Sequence, residues 1–352
     1  MTVRHMNLTN IDELKNFLKH SGLRPKDYLG QNFLVDQEVL QEIILAADLK
    51  PTDTVLEVGP GLGVLTEELL KKAGKVIAVE KDERLFEILS LSLRGGTRKR
   101  TDEAISPEIA TRPSVARDDK RQSVKLIHQD ILRFHLEKYI SGPYKVVANI
   151  PYYLTSKLFQ YFLQQQNKPK LLVLMVQKEV GERVAAKVGD LSVLGISVQI
   201  QADVEIVQRR SLSPSPRLVL DKEIGDLIKG SDKIPDPAAA NALAGRQVRD
   251  GFGNKQFPLI VPKTSFWPVP EVDSVILKIT PKEKFPEIKD QKFFFSIVKM
   301  AFAGKRKQIK NTIKNIEALH LAGIDPTTRP QDISIEQWII LYKMIDKLLL
   351  KI

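Results

Sequence analysis

"TVLEVGPGLGVLTEELLKKAGKVIAVE", residues 54–80, decides the fold. Its opening, TVLEVG (54–59), is apolar at almost every position and reads as a strand buried on both faces. LTEELLKKAG (65–74) spaces its leucines as one face of a helix and closes at Gly74. KVIAVE (75–80) is a second buried strand. Strand, glycine turn, helix and strand in immediate succession form a βαβ unit, and such units build parallel sheets.

The same rhythm continues on both sides. DQEVLQEIILAADL (36–49) reads as an amphipathic helix capped by Asp36. RLFEILSLSL (84–93) is a second crossover helix, and SVKLIHQD (123–130), YKVVAN (144–149) and KLLVLMV (170–176) are further strands. LTSKLFQYFLQQQ (154–166) is a helix before the last of these. The pattern predicts an α/β fold, a parallel sheet with helices on both faces. From about residue 288 the periodicity is helical only, which predicts a small all-helical C-terminal domain. Two stretches break the rhythm. Residues 94–122 are charged without apolar periodicity, and residues 209–257 are rich in Pro, Gly, Ser and charge. Both are expected to be surface insertions, mobile in large part, with a short helix around DKEIGDLIKG (221–230).

The totals agree with a large domain plus a smaller one: 352 residues, 43% hydrophobic. The sequence has no apolar run of membrane-spanning length and no secretory leader at its start, so a cytoplasmic location is expected. Cysteine is absent, which excludes disulfides and thiolate metal sites. The histidines, at 5, 20, 128, 135 and 320, do not pair at ligand spacing, so no metal is expected. The formal charge of +11 suits a nucleic-acid partner. It equally suits a merely soluble basic protein, and charge alone does not choose.

The turn in LEVGPGLG (56–63) carries the first chemical signal. Gly59, Gly61 and Gly63 permit a tight turn and close approach of a ligand. The phosphate-binding G-x-G-x-x-G is not satisfied, because Val64 stands three positions after Gly61, and no P-loop is present. Glu57 would repel a pyrophosphate but suits a cationic ligand. Glu80 ends the next strand, where a carboxylate accepts hydrogen bonds from ribose hydroxyls. Asp130 ends the third and can accept from an adenine amino group. Acids at three successive strand ends fit S-adenosylmethionine.

The fourth strand ends in Asn149-Ile150-Pro151-Tyr152. An adenine 6-amino group is a poor nucleophile, because its lone pair is delocalised into the ring. The Asn149 side-chain oxygen and the Ile150 carbonyl, held by the rigid Pro151 ring, can accept from that amine and localise the pair. Tyr152 offers a face on which a flipped base can stack.

These motifs, together with LGQNFLVD (29–36), VIAVEKDERL (76–85), LMVQKEVGERVAAK (174–187), SFWPVPEVDSVILKI (265–279) and GIDPTTRPQDIS (323–334), resemble the KsgA-type rRNA adenine dimethyltransferases. The resemblance covers nearly the whole chain apart from the two insertions. It implies a Rossmann-like class I methyltransferase domain over 1–285 and a helical rRNA-binding domain over 286–352. It further implies a monomeric enzyme that dimethylates two adjacent adenines near the 3′ end of small-subunit rRNA in an immature ribosomal subunit. By position, Gln31, Asn32 and Leu34 line the methionine end of the cofactor, Glu57, Gly59, Gly61 and Gly63 form its loop, and Glu80 and Asp130 hold its ribose and adenine. Asn149 borders the cofactor and, with Ile150, Pro151 and Tyr152, receives the target adenine. Phe266 belongs to the segment that closes over the base from the other side. Three departures stand out: Gln129 where the family usually has Gly, Glu271 where Lys is frequent, and a shortened AAKVGDLSVLG (185–195).

FAGKRKQIKNTIKN (302–315) places Lys305, Arg306, Lys307, Lys310 and Lys314 on an expected helix able to follow rRNA phosphates. Two rival readings share the scaffold. One is a large-subunit rRNA adenine methyltransferase of the macrolide-resistance type, against which LGQNFLVD and GIDPTTRPQDIS weigh. The other is a non-catalytic ribosome-assembly factor, against which intact Glu57, Glu80, Asp130 and Asn149 weigh.

Overall fold

The computed structural model describes residues 8–26, 29–94, 115–116, 123–209, 258–283, 288–304 and 306–349. In chain order the elements are α1 (Ile11–His20), β1 (Phe33–Leu34), α2 (Gln37–Ala47), β2 (Thr54–Val58), α3 (Val64–Lys72), β3 (Lys75–Glu80) and α4 (Glu83–Arg94). They continue with β4 (Val115–Ala116), β5 (Ser123–His128), β6 (Lys145–Asn149), α5 (Thr155–Leu163), β7 (Leu171–Gln177), α6 (Lys178–Val184), α7 (Val193–Gln199) and β8 (Ala202–Ile206). The last are β9 (Ile260–Val261), β10 (Phe266–Trp267), β11 (Ser274–Pro281), α8 (Gln291–Phe302), α9 (Ile316–Leu321) and α10 (Ile335–Leu349).

The main sheet runs β4-β5-β3-β2-β6-β7-β11-β8, with β9 also on β11. Strands β5, β3, β2, β6 and β7 are mutually parallel, as predicted. The rest correct that prediction: β11 is antiparallel to β7, β8 and β9 are antiparallel to β11, and β4 is antiparallel to β5. β8, which follows α6 and α7, runs in the direction of β7, and β11 inserts between the two in the opposite direction, which makes both of its pairings antiparallel. The central strands are buried on both faces, with Val55, Leu56, Val76, Ile77, Val146 and Val147 all at 0% exposure, which explains their unbroken apolar runs. Because β2 lies between β3 and β6, the strand order reverses there. In open α/β sheets that switch point opens a crevice at the carboxyl ends of the strands.

Asp36 caps α2 as expected, its Oδ1 accepting from the N–H groups of Glu38 and Val39 at 3.0 and 3.2 Å. The expected helix over 154–166 is shorter, starting after a 3₁₀ turn at Tyr152–Leu154. Val115–Ala116, inside the first expected insertion, is an edge strand. The rest of that insertion beyond Arg94, and 210–257 with the helix expected at 221–230, lie outside the described residues. The flanks of the second insertion lie in line along one edge of β11: Ile206 is opposite Leu277, and Ile260 opposite Val275. A bridge between Gln208 and Pro258 joins their near ends.

The C-terminal elements are helical and pack a core around Phe294, Ile297, Trp338, Leu341 and Tyr342, to which Leu191, Ile196 and Ile200 also contribute. The helix expected over 302–315 does not form. α8 ends at Phe302, a turn follows at Gly304, and only a 3₁₀ turn spans Ile309–Asn311. The N–H groups of Ile309 and Lys310 donate to the carbonyls of Thr328 and Pro326, at 2.8 and 3.1 Å. Those tertiary bonds, with Ile309 and Ile313 in the core, outweigh the helical propensity of the lysines.

Candidate active site

The carboxyl ends of β2, β3, β5 and β6 open into one cleft, roofed by the segment around 29–34. Of the residues singled out in the sequence, Gln31, Asn32, Leu34, Glu57, Gly59, Gly61, Glu80, Asp130, Asn149, Ile150, Pro151 and Tyr152 line it. Gly63 caps α3 just behind the loop. Phe266 does not reach the cleft. It is 1% exposed in β10, which pairs with β1 beneath the roof, Leu34 opposite Phe266.

The turn after β2 is built by glycines with positive φ, and Gly61 shows why. Its φ is +59°, a conformation that a side chain strains. Its N–H donates to Glu80 Oε2 at 3.1 Å, so the loop is tied to the end of β3. Glu80 Oε1 accepts from the Asp82 N–H at 2.7 Å. Burial raises the Glu80 carboxyl above its ordinary range, against the pull of those backbone donors.

Glu57 is 1% exposed, and its Oε2 has no hydrogen-bond partner among the described residues. The Thr66 hydroxyl lies near enough to favour the anion but not in hydrogen-bond geometry. Burial therefore dominates and pushes the carboxyl up to about 8, with the neighbouring Glu80 adding to it. A buried carboxyl with an orphan oxygen at the wall of a cleft suits a cationic ligand. The donor set fits S-adenosylmethionine: Glu57 for its positive end, Glu80 for ribose hydroxyls, and an apolar floor from Val58, Val79 and Ile131.

Asp130 is held by two partners: Oδ1 accepts from the Leu132 N–H at 3.0 Å and Oδ2 pairs with Lys81 Nζ at 2.9 Å. Lys81 and the Leu132 hydrogen bond keep its carboxyl below the usual range despite burial. Lone pairs remain on both oxygens to accept from an adenine. Gln129, the departure beside it, donates its amide to the Arg133 carbonyl at 2.9 Å.

Asn149 ends β6 partly buried, and its Nδ2 donates to the Asn32 carbonyl at 3.3 Å. That bond points the amide nitrogen at the roof, and Oδ1 remains as its acceptor. Tyr152 is fixed from its far end, the hydroxyl 2.9 Å from Ser274 Oγ at the start of β11. Tyr153, not singled out in the sequence, lines the same cleft and is 48% exposed. Lys81 and Asp82 were also missed. The EKD run is visible in the sequence, but their roles depend on partners far away in the chain.

Arg306, Lys307, Lys310 and Lys314 are exposed on the irregular 306–314 segment, and Lys305 lies outside the described residues. Glu271 is exposed, and the shortened 185–195 stretch is docked by Gly189, which exchanges hydrogen bonds with Gln331 at 3.0 and 2.8 Å.

The model of a family described as "Ribosomal RNA adenine dimethylase" matches residues 22–347. A "Ribosomal RNA small subunit methyltransferase A" from Dehalococcoides mccartyi is 34% identical over 338 residues, covering 93% of this chain and 90% of that protein. One from Moorella thermoacetica is 32% identical over 340 residues, covering 91% and 92%. Among solved structures, a dimethyladenosine transferase from Plasmodium falciparum superposes with a TM-score of 0.59 at 21% identity, covering 90% of this chain and 98% of that one. The 23S rRNA methyltransferase ErmE gives 0.57 at 21%, covering 90% and 100%. At that identity the likeness is one of fold. With a family match over residues 22–347 and relatives similar over nearly their full length, the chain belongs to the ribosomal RNA adenine dimethylase family, and S-adenosylmethionine is its methyl donor.

Proposed function

We propose that this enzyme dimethylates the 6-amino groups of two adjacent adenines near the 3′ end of small-subunit rRNA, in an immature ribosomal subunit. The observation that carries the chemistry is the Asn149 amide, which lines the cleft with its nitrogen bound to the Asn32 carbonyl, leaving its oxygen to act as acceptor. When bound, S-adenosylmethionine supplies an electrophilic methyl group. Asn149 Oδ1 and the Ile150 carbonyl accept from the target amine, draw its lone pair out of conjugation and orient it. Tyr152, braced by Ser274, stacks the flipped base. After attack the N-alkylated ammonium is acidic and loses its proton to water, so no general base is required. Release and a second encounter place the second methyl on the same nitrogen.

The choice of small-subunit rRNA is supported by the names of relatives similar over nearly their full length. Contact with that rRNA falls to the 286–352 helical part, read as a domain of its own, through Arg306, Lys307, Lys310 and Lys314 together with Lys305. The reading brings with it a monomeric cytoplasmic enzyme. No helix among the described residues is long and apolar enough to cross a membrane. Mapping dimethyladenosine on both rRNAs, in cells with and without the gene, tests the assignment. The small-subunit marks are expected to vanish with the gene; loss of a large-subunit mark instead would select the rival enzyme.

A further inference from the structure

Asp82 is 5% exposed at the edge of the cleft, yet neither the cofactor nor the target adenine requires it in the roles given above. Its Oδ1 accepts from the Arg84 N–H at 3.0 Å, an ordinary cap at the start of α4. Its Oδ2 does something else. It accepts from Gln31 Nε2 at 3.0 Å and from Lys26 Nζ at 2.7 Å. Gln31 is gripped at its other end as well, because its Oε1 accepts from the Lys26 N–H at 2.9 Å. An amide bound on both sides has one orientation.

The same segment reaches the far wall of the cleft. A Cβ on Gly30 would lie 3.3 Å from Pro151 Cβ, and the Asn32 carbonyl receives the Asn149 amide. One carboxylate at the end of β3 therefore fastens the roof whose other end sets the amide for the target amine. Its own N–H donates to Glu80, so the fastening point and the ribose acid are rigidly joined.

We infer that Asp82 is a positioning residue: with Lys26 it latches the 29–34 roof, holding Gln31 for the cofactor and, through the Asn32 carbonyl, Asn149 for the target adenine. This rests on the roles given above to Gln31 and Asn149.

Asp82→Asn separates the latch from the cap. An asparagine still caps α4 through its oxygen, but its NH₂ then faces the donors Gln31 Nε2 and Lys26 Nζ. S-Adenosylmethionine affinity by calorimetry is expected to fall about tenfold, as for loss of hydrogen bonds to a charged acceptor. kcat should fall while the KM for rRNA substrate and the thermal midpoint stay nearly constant. The decisive readout is a cycle with Gln31→Ala. If Asp82 acts through Gln31, the double variant binds cofactor no more weakly than Gln31→Ala alone. Lys26→Met, which removes the exposed half of the latch, should weaken binding in the same direction and carries the test if Asp82→Asn does not fold. Unchanged affinity in Asp82→Asn, or full additivity in the cycle, overturns the latch. Normal affinity in Gln31→Ala is a different pattern: it removes Gln31 from the cofactor site, and the latch with it.

Discussion

Replacing Glu57 by glutamine should make the cofactor-free protein less sensitive to alkaline pH while weakening cofactor binding. The Glu57 carboxyl is raised by burial from its ordinary 4.5 to about 8. Below pH 4.5 both folded and unfolded chains hold its proton, and its contribution to stability is fully present. Between 4.5 and about 8 the folded chain binds more protons than the unfolded one, so stability falls as pH rises. Each pH unit in that window corresponds to about 1.4 kcal/mol, and between pH 5 and pH 8 the loss comes to about 3–4 kcal/mol. Glu80, also raised by burial, adds a slope of the same sign. Urea unfolding of the cofactor-free enzyme across this range should show the decline, and Glu57→Gln should flatten most of it. Cofactor binding reverses the preference, because a cation beside Glu57 favours its ionised form. Calorimetry near pH 7 in buffers of different ionisation enthalpy should therefore register proton release by the wild type and much less by Glu57→Gln. Parallel stability curves for the two proteins, together with buffer-independent binding heats, would refute the reasoning.

Asn149→Ala should slow methyl transfer at least about a hundredfold, the scale for removing a positioned polar group, with a much smaller change in cofactor affinity; near-normal turnover would strip Asn149 of its role. Glu80→Ala should weaken S-adenosylmethionine by about 1.5–3 kcal/mol, the range for hydrogen bonds to a charged group, and unchanged calorimetric affinity would remove Glu80 from the ribose site. Replacing residues 210–256 by a short Gly-Ser linker should leave the thermal midpoint and cofactor affinity nearly unchanged, because β8 and β9 are both held on β11 and Gln208 already meets Pro258. Each doubling of a loop costs only about 0.6 kcal/mol. Activity on ribosomal particles is expected to fall, with an altered salt dependence; unfolding or loss of cofactor binding would put the segment in the core.

What the sequence determined by itself was the parallel half of the sheet and the residues at its carboxyl edge. The runs at 54–58, 75–80 and 145–149 are legible because strands buried on both faces must be apolar throughout, so Glu57 stands out as an exception that needs a reason. Asn149 was legible for a related reason, as the polar residue at which buried β6 stops, whereas Asp130 stands two residues past the end of the partly buried β5 and caps the turn that follows. The antiparallel β11 was not, since its apolar run is the same whichever way it points, and direction is set by the neighbour it pairs with. The lysines at 305–314 read as a helix because local propensity favours one; the carbonyls of Thr328 and Pro326, supplied by folding, decided otherwise. Phe266 kept its motif but does not line the cleft over the base, because pairing of β10 with β1 buries it. Asp82 lay in plain sight beside Glu80, but its partners Lys26 and Gln31 stand more than fifty residues upstream. Residue type and period follow from each strand's own environment, whereas pairings across such distances exist only once the chain has closed on itself.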